Sequence, residues 1–391
     1  MHTTDTRDAR LATLPWLGPV RLAELRRKTV AVLGVGNIGG QAAQHFVMVG
    51  TKVVLVDRDV VETVNLGTQA FTEDDIGLPK AEARARWLGP LNPRCRIEPI
   101  HADIRRLGLG ALRECDLLVS CLDSKTGRAA VNGIATRLGI PWVDGALDGA
   151  GRSMFARVAA YDPRGSDGGC YMCPHDAASV LKVFEAEAGG PGCSSRWWGM
   201  RKEVSPPTVA VSALGGAIAS IQAIWGLRFL LGAAHGVGGT EVYLDLDRNA
   251  FSVHQLKRNP RCLFDHRVYD LIRLGSDVHQ ATIEYTFAMA EKSLGEGVTL
   301  RLLNRTIVTR LVCFRCGAEA KPCRLLETLD ADDAVCHCGG ELAPSPSGLL
   351  EKFDRTQSAE FLNRTWAQTG MPDADVVVAS NGSRELPFLI A

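Results

Sequence analysis

Gly34-Val-Gly36-Asn37-Ile-Gly39 follows directly on an apolar run, residues 30–33 (VAVL), and opens a helix. Glycines at this spacing permit a tight turn and close approach of backbone to phosphate. The helix start behind them offers unpaired N–H groups to the same anion. Asp57 ends the next apolar run, residues 53–56 (VVLV), where a carboxylate can accept hydrogen bonds from ribose hydroxyls. These features predict a nucleotide site. Taken alone they suit NAD as well as ATP. A denser polar set follows: Asp57-Arg-Asp59-Val-Val-Glu-Thr-Val-Asn65-Leu, then Gln69, then Gly77-Leu-Pro79-Lys80 at a helix start. Cys121-Leu-Asp123-Ser stands at a later strand end, with Arg128 and Asn132 beyond it. A cation in a first helical turn opposes the helix dipole, so an anion near Lys80 makes better sense of it than bare solvent.

Cysteines supply a second kind of chemistry. Cys170-Tyr-Met-Cys173 has the spacing of a zinc half-site,. Cys313-Phe-Arg-Cys316 and Cys336-His-Cys338-Gly-Gly, about twenty residues apart, have the pattern of a zinc ribbon, with Cys323 and His337 as spare ligands,. Four protein ligands close a zinc site, so the ribbon's expected role is structural. The first sixteen residues lack the basic-then-apolar pattern of a secretory signal, and twelve cysteines in such a chain point to metal or thiol chemistry in the cytoplasm,.

These residues require elements to hold them. Apolar runs at 30–33, 53–56, 117–121 and from 142 read as buried strands, and helices are expected through residues 43–48, 80–87 and 128–138,. The alternation predicts a Rossmann-like doubly wound α/β sheet. After residue 162 come a glycine-rich segment, a long loop at 187–207, an apolar helix and strands around 241–246 and 250–254. Residues 208–227 carry no charge over about a membrane-spanning length,. Ser212, Ser220 and Gln222 dilute that run, and no basic cluster anchors it, which favours a buried core or interface helix,. Residues 1–266 are therefore read as one domain and 267–391 as a C-terminal α/β module, with the ribbon at about 310–342. Lys plus Arg and Asp plus Glu balance at 44 each, which gives no argument for nucleic acid or an anionic membrane as a partner,.

The loop GVGNIGG, the D-x-D-x-V-E-x-x-N-L run, G-x-P-K and the L-D-S before R-x-x-x-N resemble the superfamily of ubiquitin-activating enzymes and the bacterial ThiF/MoeB proteins, over roughly residues 8–265. The resemblance implies ATP- and Mg²⁺-dependent adenylation of the C-terminal glycine carboxylate of a ubiquitin-like or sulfur-carrier protein. It gives Lys80 the phosphates, Asp123 the Mg²⁺ and Asp57 the ribose. Asn65 and Gln69 would line the pocket, with Gly34, Gly36, Asn37, Gly39 and Asp59 completing the nucleotide set. It also implies that Cys170 and Cys173 are joined by Cys262 and His266 in a Cys₃His zinc site, with His175 as a rival fourth ligand. Cys193 would be a loop nucleophile able to take the activated carboxylate as a thioester. A homodimer and a conjugating enzyme are the further partners implied.

One departure stands out. The family places an arginine between Asn-Leu and Gln, and this chain has Thr68 there. Threonine cannot neutralise a phosphate, so other basic residues must compensate, with Arg7 and Arg10 of the N-terminal arm as candidates. The rival readings are activation of another carboxylate, on a peptide or a tRNA base, and a non-catalytic zinc-binding scaffold that retains the fold. An NAD oxidoreductase is disfavoured by Lys80 together with Asp123.

Overall fold

The computed structural model describes residues 6–148, 153–165, 168–179, 210–330 and 332–391. They fall into two compact units. One holds the described residues of 6–105, 112–179 and 210–268, and the other holds 106–111 with 269–391.

The first unit starts with two short helices, α1 (Ala9–Ala12) and α2 (Gly18–Leu25). β1 (Thr29–Leu33) then leads into α3 (Asn37–Val49), and β2 (Lys52–Asp57) into α4 (Lys80–Leu88). β3 (Ile97–His101), β4 (Leu117–Ser120), α5 (Lys125–Leu138) and β5 (Trp142–Leu147) follow. β6 (Phe155–Tyr161), α6 (Ser212–Leu230), β7 (Thr240–Asp245) and β8 (Ala250–Gln255) complete it. The strands make one eight-stranded sheet in the order β3-β2-β1-β4-β5-β6-β7-β8. The first five are parallel, and β6 to β8 join antiparallel. The α/β sheet expected from the alternation of strands and helices is thus present, and it is mixed. β1, β2 and β4 are buried nearly throughout, which is why they read as unbroken apolar runs,.

The order 3-2-1-4-5 reverses between β1 and β4, the crevice where open α/β sheets bind ligands,. The adjoining core includes Leu25, Phe46, Val47, Leu55 and Ile218, all fully buried. Burying each such side chain contributes about 1.5–3 kcal/mol.

α6 is the apolar segment seen in the sequence, and it is long and apolar enough to cross a membrane. Its buried residues include Leu214, Ile218, Gln222 and Gly226, one face of the helix,. Gln222 donates to the carbonyls of Ser120 (2.9 Å) and Val143 (3.3 Å). A Cβ at Gly226 would lie 2.7 Å from Leu117 Cδ2 and 2.8 Å from Phe46 Cζ, so glycine there permits the close approach of helix to core.

The second unit opens with β9 (Ile272–Arg273), α7 (Ile283–Leu294) and β10 (Thr299–Leu302). Short strands β11 (Ile307–Val308), β12 (Leu311–Cys313), β13 (Glu319–Ala320) and β14 (Arg324–Leu325) follow. After them come β15 (Leu342–Pro344), β16 (Leu349–Leu350), β17 (Lys352–Phe353), β18 (Asp375–Ser380) and β19 (Glu385–Ile390). A five-stranded sheet, β17-β10-β18-β19-β9, is joined by two three-stranded ones, β14-β11-β16 and β13-β12-β15. Phe353 packs edge-on between Phe287 and Phe361, and the indole N–H of Trp366 donates to Thr286 Oγ1 at 2.8 Å.

Candidate functional site

The glycine loop sits at the carboxyl end of β1. Gly34 has φ +83, and a Cβ on it would lie 2.9 Å from the carbonyl oxygen of Cys121. A Cβ on Gly39 would overlap the Gly34 carbonyl at 1.8 Å, so the loop closes onto α3 only with glycine there. The side chain of Asn37 donates weakly to the carbonyls of Ala210 and Val211 (3.4 Å each), and its oxygen accepts from Gln41 (3.2 Å). Asn37 thus ties the loop to the approach to α6.

Asp57 is buried at the end of β2. One carboxylate oxygen accepts the Val35 N–H of the glycine loop (2.7 Å) and the other the Asp59 N–H (2.9 Å). Burial pushes its carboxyl up from the ordinary value, while those two N–H donors and Lys80 pull it back,. Lys80 begins α4, and its Nζ, nearly buried, donates to the exposed Asp59 carboxylate at 3.1 Å. The main chains register the pair as well, Lys80 N–H meeting the Asp59 carbonyl at 2.9 Å. Asn65 accepts the Glu62 N–H (2.9 Å) in a local capping box. Gln69 lies against Gly36, and its buried Oε1 has no hydrogen-bond partner.

Asp123 follows β4 and is exposed. The cap of α5 is Ser124, whose hydroxyl accepts the Gly127 N–H at 3.1 Å. Among the described residues the Asp123 carboxylate has no hydrogen bond or ion pair, which leaves it open to a ligand. Beside it Arg128 donates to Asp144 (3.1 Å) and to the Leu122 carbonyl. Asp144, fully buried, also accepts from Ser120 (2.8 Å) and Arg157, which bonds Glu241 in turn at 2.8 Å. This polar network braces the ends of β4 to β7. Asn132, also buried, accepts the Tyr171 N–H at 3.1 Å and so joins α5 to the first cysteine knuckle.

Cys170, Cys173, Cys262 and His266 converge, with their ligand atoms all within 4.8 Å of one another. Cys170 Sγ lies 3.8 Å from Cys173 Sγ, Cys262 Sγ and His266 Nε2, and Cys173 Sγ lies 3.5 Å from His266 Nε2. A zinc tetrahedron with Zn–S near 2.3 Å has sulfur–sulfur edges of about 3.8 Å, so the donor set fits that ion. Main-chain N–H groups of Met172, Phe264 and Asn259 point at the sulfurs (3.3–3.4 Å), as thiolates require. His175 is not among the clustered ligands and packs tilted against Tyr171, with ring centroids 5.4 Å apart.

Cys313, Cys316, Cys336 and Cys338 form a second cluster, with Cys313–Cys338 and Cys316–Cys336 each at 3.6 Å. It is carried by the β13-β12-β15 ribbon. A Cβ on Gly340 would lie 2.9 Å from Cys313 Sγ, which explains the Gly-Gly after Cys338. Both clusters could hold zinc. Cys323 is buried in the core of the second unit, away from the ribbon ligands.

Cys193 lies outside the described residues. Thr68 is half-buried, Arg7 donates to the Leu91 carbonyl, and Arg10 is exposed. Sequence reasoning passed over Arg84, which is 2% exposed on the same side of α4 as Lys80. The i, i+4 spacing from Lys80 was the available signal.

A glycine loop at the point of reversal of an open α/β sheet, with a buried acid and a buried lysine beside it, is an arrangement suited to binding a nucleotide. The ThiF family matches residues 8–264, and the chain belongs to that family. The SAMP-activating enzyme E1 of Haloferax volcanii is 28% identical over 249 residues, 63% of this chain and 83% of that protein. The sulfur carrier protein adenylyltransferase of Thermus thermophilus is 31% identical over 260 residues, 64% of this chain and 86% of that protein. E. coli MccB with ATP shares the fold, with a TM-score of 0.52 at 21% identity over 67% of this chain and 74% of that one. Residues 269–391 of the second unit lie beyond the family match.

Proposed function

We propose that the protein is an adenylyltransferase that uses ATP to activate the C-terminal glycine carboxylate of a ubiquitin-like or sulfur-carrier protein. The observation that carries this reading is the gathering of the glycine loop, Asp57, Lys80 and the open Asp123 at the carboxyl ends of β1, β2 and β4. It is supported by relatives named for activation and adenylyl transfer.

In such a step a carboxylate oxygen attacks the α-phosphorus, the bond to the bridging oxygen breaks, and pyrophosphate leaves. Charge grows on phosphate oxygens, so fixed cations do most of the stabilising. Lys80 would exchange its bond to Asp59 for one to phosphate. Asp57 would accept from the ribose while holding the loop through Val35. Asp123 would hold Mg²⁺, which supplies charge neutralisation on the phosphates when bound. Cys193 would then accept the acyl group as a thioester, its thiolate displacing AMP, before a conjugating enzyme or a sulfur-transfer step. We place the enzyme in the cytoplasm as a homodimer, with zinc at both cysteine clusters in a structural role.

Thr68 favours one other reading, a scaffold that has kept the fold without catalysis. ATP–pyrophosphate exchange on the full chain, with and without a small glycine-terminated carrier, separates the two. Exchange is expected only with the carrier, and is expected to fall at least about a hundredfold, near 2.7 kcal/mol of barrier, in Lys80→Ala and in Asp123→Ala. No exchange with the carrier, together with no Mg-ATP binding, would overturn the enzyme reading in favour of the scaffold.

A further inference from the structure

The phosphate-loop pattern accounts for Gly34, Gly36 and Gly39, and leaves Gly40 of GVGNIGG without a purpose. A Cβ on Gly40 would lie 2.5 Å from the guanidinium carbon of Arg84 and 2.6 Å from its Nε. Gly40 is therefore the seat of a buried guanidinium. That group donates to the carbonyls of Gln69 and Ala70, the latter at 3.4 Å, and lies 4.3 Å over the ring of Phe71. Its Nε is buried with no partner.

The turn it grips is unusual. Ala70 has φ +49, a left-handed conformation that non-glycine residues adopt only when their surroundings hold them there,. Gln69 just before it lies against Gly36, one helical turn from Gly40, and its Oε1 is also buried without a partner. Two unpaired polar atoms, one donor and one acceptor, thus flank the first turn of α3.

We propose that Arg84 is a positioning residue of the nucleotide site: it locks the turn from Gln69 to Phe71 onto α3 and supplies, beneath the glycine loop, the fixed positive charge that Thr68 does not. This rests on the ATP-dependent reading above. Arg84 is bound by carbonyls and a ring face and forms no ion pair with a carboxylate among the described residues. Burial pushes its guanidinium down to about 10, against the pull of Asp75 and Asp57, so it stays charged at neutral pH,. Asp57 and Asp75 act on it without pairing with it, and a buried cation so placed is costly; a polyphosphate on the loop above would add negative charge that offsets the cost,. Lys80 and Arg84, one turn apart on α4, would then share the work, Lys80 at the phosphate and Arg84 behind the loop.

The test is calorimetric Mg-ATP binding to the full-length protein, with a thermal melt of each variant. Arg84→Met is expected to weaken binding about tenfold. Arg84→Lys keeps the charge without the two-pronged grip and is expected to lose about threefold. Gly40→Ala should expel the guanidinium and reproduce the Arg84→Met loss, and combining the two should cost little more than either alone. A side chain that merely packs would lower the melting temperature and leave the affinity alone. Wild-type affinity in folded Arg84→Met overturns the proposal. Should that variant fail to fold, wild-type affinity in Gly40→Ala does the same. If the unmodified protein itself binds no Mg-ATP, the adenylation reading falls first and takes this one with it.

Discussion

Asp57 shows how one side chain can serve structure and ligand together. Its two oxygens already accept the N–H groups of Val35 and Asp59, so the glycine loop is held in shape before any nucleotide arrives. Each oxygen keeps a free lone pair for a further donor. Removing the carboxylate leaves two N–H groups without their acceptor in a buried place. Asp57→Ala is therefore expected to cost about 2 kcal/mol of stability or more, read as a lower urea midpoint. A midpoint unchanged from the parent would show that water replaces both bonds. Lys80 carries the opposite arrangement. Its partner Asp59 is exposed and can release it, so the ion pair holds the ammonium in place without sequestering it,.

At the scale of elements, the two cysteine clusters are built alike from tight turns whose N–H groups face sulfur. In the first, CxxC lies between β6 and α6, while Cys262 and His266 follow β8, so the cluster staples the antiparallel edge of the sheet to its own return loop. In the second, the ribbon strands are two or three residues long and their small core gathers Val308, Leu311, Leu329 and Leu342 around Cys313 and Cys336. A core of that size gains little from apolar burial alone, so a metal held by the four cysteines would contribute to its folding. Protein purified without chelator is expected to carry about two zinc ions per chain by elemental analysis. Cys173→Ser and Cys316→Ser are each expected to lose one of the two. A full complement retained in either variant would remove that cysteine from the ligand set.

Among the described residues the apolar side chains form two principal cores, one around the eight-stranded sheet and one around the five-stranded sheet. Phe353 is fully buried at the centre of the second, between two other phenylalanine rings. Phe353→Ala is expected to cost about 3–5 kcal/mol, seen as an earlier thermal transition. The same variant is expected to bind Mg-ATP as the parent does at 25 °C, because none of the nucleotide-loop side chains belongs to that core. Loss of ATP binding in the folded variant would show that the second unit supports the nucleotide site.

Much of the first unit was legible because parallel strands buried on both faces must be continuously apolar. β1, β2 and β4 showed themselves in that way, and the glycine loop, Asp57 and Lys80 could be placed from their ends. The ribbon spacing was equally plain, since a tetrahedral ion permits few arrangements of cysteine. Other features had no local signature. β3 (IEPIH) contains a proline, tolerated because the strand lies at the sheet edge,. β6 was missed beside the glycine-rich stretch that follows it, and its antiparallel pairing with β5 depends on partners distant in sequence. His266 joined Cys262 only when the chain folded, with His266 itself at φ +55. The sequence by itself determined the glycine loop, the open sheet and the spacing of the ribbon cysteines, because these follow from short-range spacing and burial. Tertiary structure alone decided that Ser124 caps α5 and leaves Asp123 open, that Gly40 makes room for Arg84, and that α6 sends Gln222 into the core. Each of these depends on which side chain meets which across the fold, and residue type does not encode that.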